Sequence, residues 1–368
     1  MSDTRRRMIF HLPFEIDQTR FSASQLRPMK MLHAFKELGY DVFEVTGNAK
    51  ARKERIDLLK RELDDGNVFH FCYSESSTMP SLLTEDHHLP STPFLEPSFF
   101  SLLKRKGIPL GIFYRDIYWK FDSYRKVVGW IKSSFASFFY HVDLWMYHRY
   151  ADVIYLPTIS MAKYLPADLR AKSQALPPGA EHVGASRNEL PQDPVKPLTF
   201  IYVGGVTPPH YDLRPLFELA AKYKKFRFTV ICRREEWNQV KGIYSLSDNI
   251  DVVHASGNAL TLEYQKADIF LNIREPGEYL HFAMPMKIFE ALQENKPIIT
   301  SNLHEVAKLI TSNRLGWVIN KNEDFDHLLA SLEMDRTMYE DVRSNISKFI
   351  TTNTWVSRAE QVENSLAK

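Results

Sequence analysis

Lys287 and Glu290 are the residues whose spacing most directly suggests chemistry, because both stand near the start of a predicted helix. Pro285 marks that start, since proline at a first helical position gives up only an N–H that has no intrahelical partner. Free N–H groups at a helix start favour phosphate, and a lysine there adds a full positive charge. Glu290 can accept hydrogen bonds from two neighbouring hydroxyls, as carboxylates do with ribose. The alternative is an ordinary i,i+3 surface pair, worth about 0.2–0.5 kcal/mol.

This helix joins two predicted strands in the segment 267–301, whose sequence is ADIFLNIREPGEYLHFAMPMKIFEALQENKPIITS. Residues 269–273 form a short apolar run, which is typical of a buried strand, and residues 297–300 form a second run. We predict that a ligand binds where the first strand, the loop and the helix meet, and that the rest of the chain holds these three elements in position.

The string Pro-x-Lys-x-x-Glu-Ala-Leu, followed by Asn-Lys-Pro-Ile-Ile, resembles the donor-site signature of GT-B glycosyltransferases, chiefly of the family 4-like group. The resemblance implies that Glu290 binds the ribose of a nucleotide and that Lys287 lies near its phosphates. Many family 4 enzymes carry a second glutamate eight positions before the first, where this chain has Phe282. Glu275 and Glu278 stand nearby, in a different register.

Five further residues are candidates for donor binding. Met286, directly before the lysine, resembles the donor site of the xanthan-type glucuronosyltransferases. Gly204 and Gly205 end a predicted strand and either let a bound group approach the backbone or form an ordinary turn. Family 4 enzymes often have a basic residue just after the first glycine, a place that a glycine fills here. Arg233 and Arg274, at the ends of later strands, are the predicted substitutes for that cation.

Asp116 is the candidate catalytic base, on the acceptor side. It follows a predicted strand in the string YRDIYW, which resembles the Arg-Asp-Leu-Trp segment of family 4-like transferases that act on lipid-linked sugars. A sugar hydroxyl needs a positioned acceptor for its proton, and a carboxylate at a strand end can supply one. The alternative is an ion pair with Arg115 or a helix-capping role.

The end of the first predicted strand carries possible anion ligands. Residues 14–28 include Arg20 and Arg27 near a helix start, where cations and amides can bind an acceptor group or a phosphate. The alternative is a solvated loop. His11 is either a ligand contact or a polar core residue with a satisfied hydrogen bond.

Basic residues predominate between positions 103 and 131, and the aromatic-rich segment WIKSSFASFFYHVDLWMYH overlaps and follows them. Cations and aromatic rings together suit an anionic membrane surface. The alternative is a core helix beside a solvated charged loop. We predict peripheral contact with the cytoplasmic face of the inner membrane.

Predicted strands and helices alternate along the whole chain, which indicates parallel sheets wrapped by helices. A stretch rich in proline and polar residues, 176–197, separates two such series. We predict an α/β protein with two Rossmann-like, doubly wound domains facing a cleft, residues 1–180 and 181–350. The GT-B resemblance implies that residues 351–368 form a helix that packs back on the first domain. The predicted elements include helices at 22–38 and 124–150 and strands at 153–156 and 199–203.

Composition narrows the class of protein. The 368 residues suit two domains, and 44% hydrophobic with 25% charged residues is a globular composition. A net charge of +2 does not indicate a nucleic-acid partner. Cys72 and Cys232 stand in apolar runs and are predicted to be reduced core thiols. With no signal peptide or spanning segment predicted, we expect a cytoplasmic location.

The leading hypothesis is a retaining glycosyltransferase that moves a sugar from a nucleoside-diphosphate sugar to a lipid-linked or polysaccharide acceptor in bacterial-type surface glycan assembly. Retention is implied by the family resemblance. Neither a metal nor a further cofactor is predicted. The alternatives are a nucleotide-sugar epimerase of the same fold and a non-catalytic nucleotide-sugar-binding assembly partner. A dehydrogenase is disfavoured, because no Gly-x-Gly-x-x-Gly follows a predicted strand.

Overall fold

Two parallel sheets of six strands each form the frame of the protein. The computed structural model describes residues 6–17, 23–181, 197–208, 211–275 and 277–367. The chain divides into a first domain, Met1–Pro178 with Trp355–Lys368, and a second domain, Gly179–Thr354. Each domain contains one of the sheets, and helices alternate with the strands. The two doubly wound α/β domains predicted from the sequence are therefore confirmed.

The sheet of the first domain has the strand order β2-β1-β3-β4-β5-β6. Every residue of β3, β4 and β5 is buried, because parallel strands are covered by helices on both faces. The strands are β1 (Arg7–His11), β2 (Asp41–Val45), β3 (Cys72–Glu75), β4 (Leu110–Phe113), β5 (Val153–Leu156) and β6 (Ser173–Ala175). The helices are α1 (Ala23–Glu37), α2 (Ala49–Asp64), α3 (Leu95–Arg105), α4 (Asp122–Val128), α5 (Trp130–Tyr150) and α6 (Ala167–Ala171).

The long helix predicted at 124–150 is two helices in the structure, α4 and α5. Gly129 separates them with a φ of +86°, which lies outside the right-handed helical region and which glycine adopts without strain. The prediction of one continuous helix was wrong for this reason. The break leaves α5 to begin at Trp130.

The sheet of the second domain has the strand order β12-β11-β10-β7-β8-β9. Its strands are β7 (Thr199–Val203), β8 (Arg227–Ile231), β9 (Ile250–Val253), β10 (Ile269–Asn272), β11 (Ile298–Ser301) and β12 (Gly316–Ile319). Its helices are α7 (Arg214–Lys222), α8 (Arg234–Val240), α9 (Gly257–Lys266), α10 (Glu278–Phe282), α11 (Met286–Gln293), α12 (His304–Asn313), α13 (Asn322–Met334) and α14 (Thr337–Thr352).

Side chains of β7 alternate between two apolar cores, one on each face of the second sheet. Phe200 and Tyr202 join the core that includes α7 and α13, whereas Ile201 joins the core that includes α11 and α12. Helix α11 contributes Ile288 and Phe289 to this second core. The opposite side of α11 is therefore left outside the core.

The last helix, α15 (Trp355–Leu366), belongs to the first domain and packs on α1 and β4. Its Glu363 accepts a hydrogen bond of 2.8 Å from the Tyr40 hydroxyl. Gly111 in β4 has no room for a side chain, since a Cβ would lie 2.7 Å from Cδ1 of Leu366. The predicted return of the last helix to the first domain is confirmed.

Cys72 and Cys232 are both buried and unbridged, as predicted for core thiols. Burial raises the pKa of the Cys72 thiol well above its usual value, which keeps this side chain protonated and unreactive. Within the described ranges, no helix is both long enough and apolar enough to cross a bilayer.

Candidate functional site

The carboxyl ends of β7 and β10 form the centre of the candidate site. These strands are neighbours in the second sheet although they are far apart in the chain, and the strand order reverses direction beside them. In open parallel sheets, ligands bind outside the carboxyl ends of the strands at such a switch point. Gly204 follows β7 directly, and Arg274 follows β10 after one intervening residue.

Gly204 and Gly205 are glycines because aromatic rings occupy the space of their missing side chains. A Cβ on Gly204 would lie 2.7 Å from the Tyr202 hydroxyl, and a Cβ on Gly205 would lie 2.8 Å from Cδ2 of Tyr211. The Tyr202 hydroxyl also donates a 2.7 Å hydrogen bond to the carbonyl of Gly205. The backbone of this loop is thus held in place and bare of side chains, as close approach of a ligand requires.

The two arginines predicted to replace the missing basic residue differ in their surroundings. Arg274 is only 8% exposed, and its backbone N–H donates to Oγ of Ser301 at 2.9 Å. Arg233 extends into solvent and pairs with Glu236 one turn along at 2.9 Å. Arg274 is therefore the cation that the structure fixes at the switch point, whereas Arg233 lies at an exposed edge.

Helix α11 places Lys287 and Glu290 on its exposed side, as predicted. Pro285 precedes the helix in an extended conformation, so the helix begins one residue later than predicted, at Met286. The ammonium of Lys287 lies 2.5 Å from Oε2 of Glu290, and both side chains are more than a quarter exposed. The i,i+3 pair considered as an alternative is thus formed, and it places a cation and a carboxylate next to each other near the start of α11.

Phe282 stands where many family 4 enzymes have a second glutamate, and its surroundings in the structure are apolar. Phe282, at the end of α10, is 3% exposed and packs edge to face against Tyr279. Glu278 begins the same short helix, and Glu275 is exposed in the preceding loop. No carboxylate therefore replaces the missing glutamate at position 282 itself.

In the first domain, Asp116 follows β4 in a loop that is anchored from both sides. Its Oδ1 accepts a 2.9 Å hydrogen bond from the backbone N–H of Tyr118, which is a turn-capping contact. Arg115 pairs with Glu75 at 3.0 Å, and its backbone N–H donates to Oγ of Ser76. The capping alternative is therefore formed, and the loop that carries the carboxylate is fastened to the end of β3.

His11 is a buried and satisfied core residue. Its Nδ1 lies 2.8 Å from Oγ of Ser74, and its ring packs against Phe99 and Phe100. Burial, with a smaller contribution from the nearby Arg52 charge, lowers the pKa of His11 to about 3. The imidazole is therefore neutral near pH 7 and supplies no positive charge to an anion.

Arg27 lies inside the first domain, which corrects the prediction that it presents a cation on a loop. It is 3% exposed, lies 3.5 Å from Glu75 and donates to the carbonyl of Leu176 at 3.1 Å. Its guanidinium also stacks on the ring of Phe113. The prediction failed because Arg27 is a residue of α1 and faces the sheet. Arg20, the other predicted loop cation, lies outside the described residues.

Sequence reasoning missed Tyr202, Tyr211 and Glu75. Glu75 is fully buried at the end of β3, where it binds two arginines and the Tyr73 hydroxyl. Its place at the end of β3, as the charged residue of that strand, was the available signal. The two tyrosines had no signal, because aromatic residues near a strand end are ordinary core residues.

Comparison with known proteins agrees with this geometry. Residues 197–333 match the family model described as "Glycosyl transferases group 1", which spans the candidate donor site. A search of curated protein sequences found no match. Solved structures of similar fold include HepE of Anabaena in complex with UDP and glucose, with 11% identity and a TM-score of 0.60. That alignment covers 98% of this chain and 99% of the other.

Two further structures have the same fold over their full length. WaaG, a glycosyltransferase involved in lipopolysaccharide biosynthesis, has 12% identity and a TM-score of 0.55. A structure described as trehalose-6-phosphate from E. coli bound with UDP-2-fluoro glucose has 12% identity and a TM-score of 0.57. Both alignments cover 98% of this chain and 99% of the other. The chain therefore has the GT-B fold, and residues 197–333 of its second domain resemble the glycosyl transferases group 1 family.

Proposed function

We propose that the enzyme transfers a sugar, with retention of anomeric configuration, from a nucleoside-diphosphate sugar to a lipid-linked or polysaccharide acceptor in bacterial-type surface glycan assembly. The observation that carries the donor half is that Arg274 and the ion pair of Lys287 with Glu290 all lie on the segments between β10, a strand at the switch point, and β11. Phosphate requires cations and bare backbone, and ribose requires a hydrogen-bond acceptor. HepE, described with UDP-glucose, and WaaG, of lipopolysaccharide biosynthesis, support this choice of donor and of process by analogy.

Each donor-site residue has a distinct role in the proposal. Gly204 and Gly205 let the diphosphate approach the backbone at the end of β7. Lys287 turns from Glu290 towards the phosphates when the donor binds, and Glu290 then accepts hydrogen bonds from the two ribose hydroxyls. Met286 begins the helix whose first N–H groups face the diphosphate, and Arg233 remains at the exposed edge.

Asp116 is proposed as the acceptor-side base. The acceptor oxygen bonds to the anomeric carbon from the same face that the nucleoside diphosphate leaves, which retains the configuration, and the hydroxyl proton passes to the Asp116 carboxylate. The nucleoside diphosphate leaves with the electron pair of the bond that breaks. No metal is required in this scheme, because Arg274 and Lys287 offset the charge that develops on the leaving phosphate.

The test is donor turnover with and without a lipid-linked acceptor, followed by NMR of the product. We expect transfer that depends on the acceptor and a product whose anomeric configuration equals that of the donor. Inverted configuration would contradict retention alone. Conversion of the donor sugar to its epimer without any acceptor would instead favour the epimerase.

Peripheral membrane contact through the first domain is part of the proposal, because α4 and α5 expose large apolar side chains. Trp130 is 72% exposed and Ile131 is 76% exposed, and Phe138 and Trp145 continue the stripe along α5. Phe139 lies in the aromatic-rich segment predicted to contact the membrane, but its side chain is buried. We call the exposed set, Val127, Trp130, Ile131, Phe138 and Trp145, the aromatic ridge.

The exposed cations beside the aromatic ridge include Lys126 and Lys132. The more distant Lys104 donates to the carbonyl of Arg149, and Lys106 pairs with Asp64, so both already have protein partners. Each lysine near an anionic leaflet contributes about 1 kcal/mol, and the aromatic rings sit at the headgroup level. Together these residues can give reversible binding without a spanning helix.

Changing Lys126 and Lys132 to Glu is expected to weaken binding to anionic vesicles about thirtyfold or more, because about 1 kcal/mol is lost per lysine. Co-sedimentation with vesicles that contain phosphatidylserine measures this effect. The wild type should bind strongly at low salt and weakly at high salt, since screening shortens the attraction. The exposed Lys224 and Lys241 of the second domain, changed to Glu, provide a control of equal charge change. Absence of wild-type binding at low salt would overturn the proposal.

A further inference from the structure

The Tyr211 ring occupies the space in which a basic side chain at position 205 would lie. It lies so close to Gly205 that a Cβ there would come within 2.8 Å of the ring carbon Cδ2. A lysine or arginine at position 205 is therefore excluded while this ring is present. Residues 204–208, the described part of the loop that faces the proposed diphosphate, contain no lysine or arginine.

Arg274, in the segment that follows the neighbouring strand β10, contacts the Tyr211 ring. Its guanidinium carbon lies 4.9 Å from the centroid of the Tyr211 ring, which is cation–π distance. The side chain is 8% exposed, and its Nε has no hydrogen-bond partner among the described residues. A buried guanidinium nitrogen without a partner is unfavourable until an anion or another acceptor arrives.

We infer that Tyr211 is a positioning residue that holds Arg274 beside the glycine loop. Arg274, which follows β10, then supplies the donor diphosphate with the cation that family 4 enzymes often have after their first glycine. The inference rests on the proposed function, since it assumes a nucleoside-diphosphate donor. Stacking engages the face of the guanidinium, so the N–H edge stays available for paired hydrogen bonds to phosphate oxygens. The ring thus fixes the orientation of the guanidinium, whose Nε has no hydrogen-bond partner among the described residues.

Two other tyrosines keep this arrangement rigid. The Tyr244 hydroxyl donates to the carbonyl of Val206 at 2.6 Å and lies 3.4 Å from the carbonyl oxygen of Tyr211. Burial raises the pKa of the Tyr202 phenol to about 12, although the nearby Arg274 charge offsets part of the rise. Tyr202 therefore remains a neutral donor to Gly205 at every physiological pH. A loop fixed in this way loses little further freedom when the diphosphate binds.

Tyr211→Leu is expected to weaken binding of a nucleoside diphosphate about fivefold to thirtyfold, and Tyr211→Phe is expected to change it less than twofold. The phenylalanine keeps the ring, whereas the leucine fills space without a π face. Calorimetry with UDP, GDP and ADP identifies the diphosphate that the wild type prefers. The matching nucleoside is the decisive control, since its affinity should be equal in all variants. A merely structural role would weaken both ligands together.

Three further variants mean that the test does not depend on Tyr211→Leu alone. Arg274→Gln should give the same selective loss, and the double variant Arg274→Gln with Tyr211→Leu should be no weaker than Arg274→Gln alone. The double variant Gly205→Lys with Tyr211→Ala should recover the diphosphate affinity that Tyr211→Leu loses, because the new lysine supplies the cation from the glycine loop itself.

Equal diphosphate affinity in Tyr211→Leu and Tyr211→Phe would overturn the inference and leave the proposed function standing. Additive losses in the double variant would also overturn it, because the two residues would then act separately. A wild type that binds none of the three diphosphates would overturn the proposed function itself, and the inference with it.

Discussion

Asp116→Asn is expected to lower the rate of sugar transfer by about 10²–10⁴-fold while donor affinity stays unchanged. The amide has nearly the shape of the carboxylate, but it cannot accept a proton from the acceptor hydroxyl. The loss should therefore appear in kcat for transfer and not in the dissociation constant for the donor. Steady-state kinetics with a lipid-linked acceptor, combined with donor calorimetry, measures both quantities.

The fold should survive this change, because an asparagine side-chain oxygen can also accept the hydrogen bond from the N–H of Tyr118. Asp335 provides a matched control, since its Oδ1 accepts in the same way from the N–H of Thr337 at 2.8 Å. Asp335→Asn should transfer at the wild-type rate. If Asp116→Asn also transferred at that rate, Asp116 would be a turn-capping residue and the base would lie elsewhere.

Lys287→Ala and Glu290→Ala are each expected to weaken binding of the donor about tenfold to hundredfold. Hydrogen bonds that involve a charged group contribute about 1.5–3 kcal/mol, and each substitution removes at least one from the proposed complex. The two residues form an ion pair in the present structure, so each substitution also releases the other side chain into solvent. Because neither side chain contributes to the apolar core, the melting temperature should change little.

Glu263 and Lys266 on α9 are the matched control for this pair. They have the same i,i+3 spacing and a distance of 2.6 Å, and they lie in the same domain. Alanine at either position should leave donor affinity unchanged. Should the variants of Lys287 and Glu290 behave like these controls, the pair would be an ordinary surface salt bridge.

The fold could be predicted in most respects because apolar runs alternate with amphipathic segments. The strands at 153–156 and 199–203 were predicted to the residue, since strong apolar sequences fix both ends. Strand β6 was missed, because Ser173–Ala175 is short, polar and only half-buried. Gly129 was missed as a helix break, because a glycine within a helical pattern can also be tolerated. The tertiary contacts that decide whether a short polar segment forms a strand, or whether a glycine ends a helix, cannot be read from the local sequence.

Site residues that lie together on one segment could be predicted from the sequence, whereas contacts between residues of different segments could not. Lys287 and Glu290 share one helix, so helical spacing alone placed them together on its exposed side. Arg27 was misjudged because its partner, Glu75, is 48 positions away in the sequence. The stacking of Tyr211 with Arg274 joins the segments that follow β7 and β10, two strands that only the sheet topology brings side by side. Contacts of this kind become visible only in three dimensions.

Titration of nucleotide sugars into the wild-type protein tests the central claim most directly, namely that the carboxyl ends of β7 and β10 bind a nucleoside-diphosphate sugar. Calorimetry with a panel of UDP-, GDP-, ADP- and dTDP-sugars should show one preferred donor that binds with a stoichiometry of about one. The corresponding nucleoside should bind more weakly, because it lacks the groups that Arg274 and Lys287 contact. A panel in which no donor binds, or in which donor and nucleoside bind equally, would contradict the account.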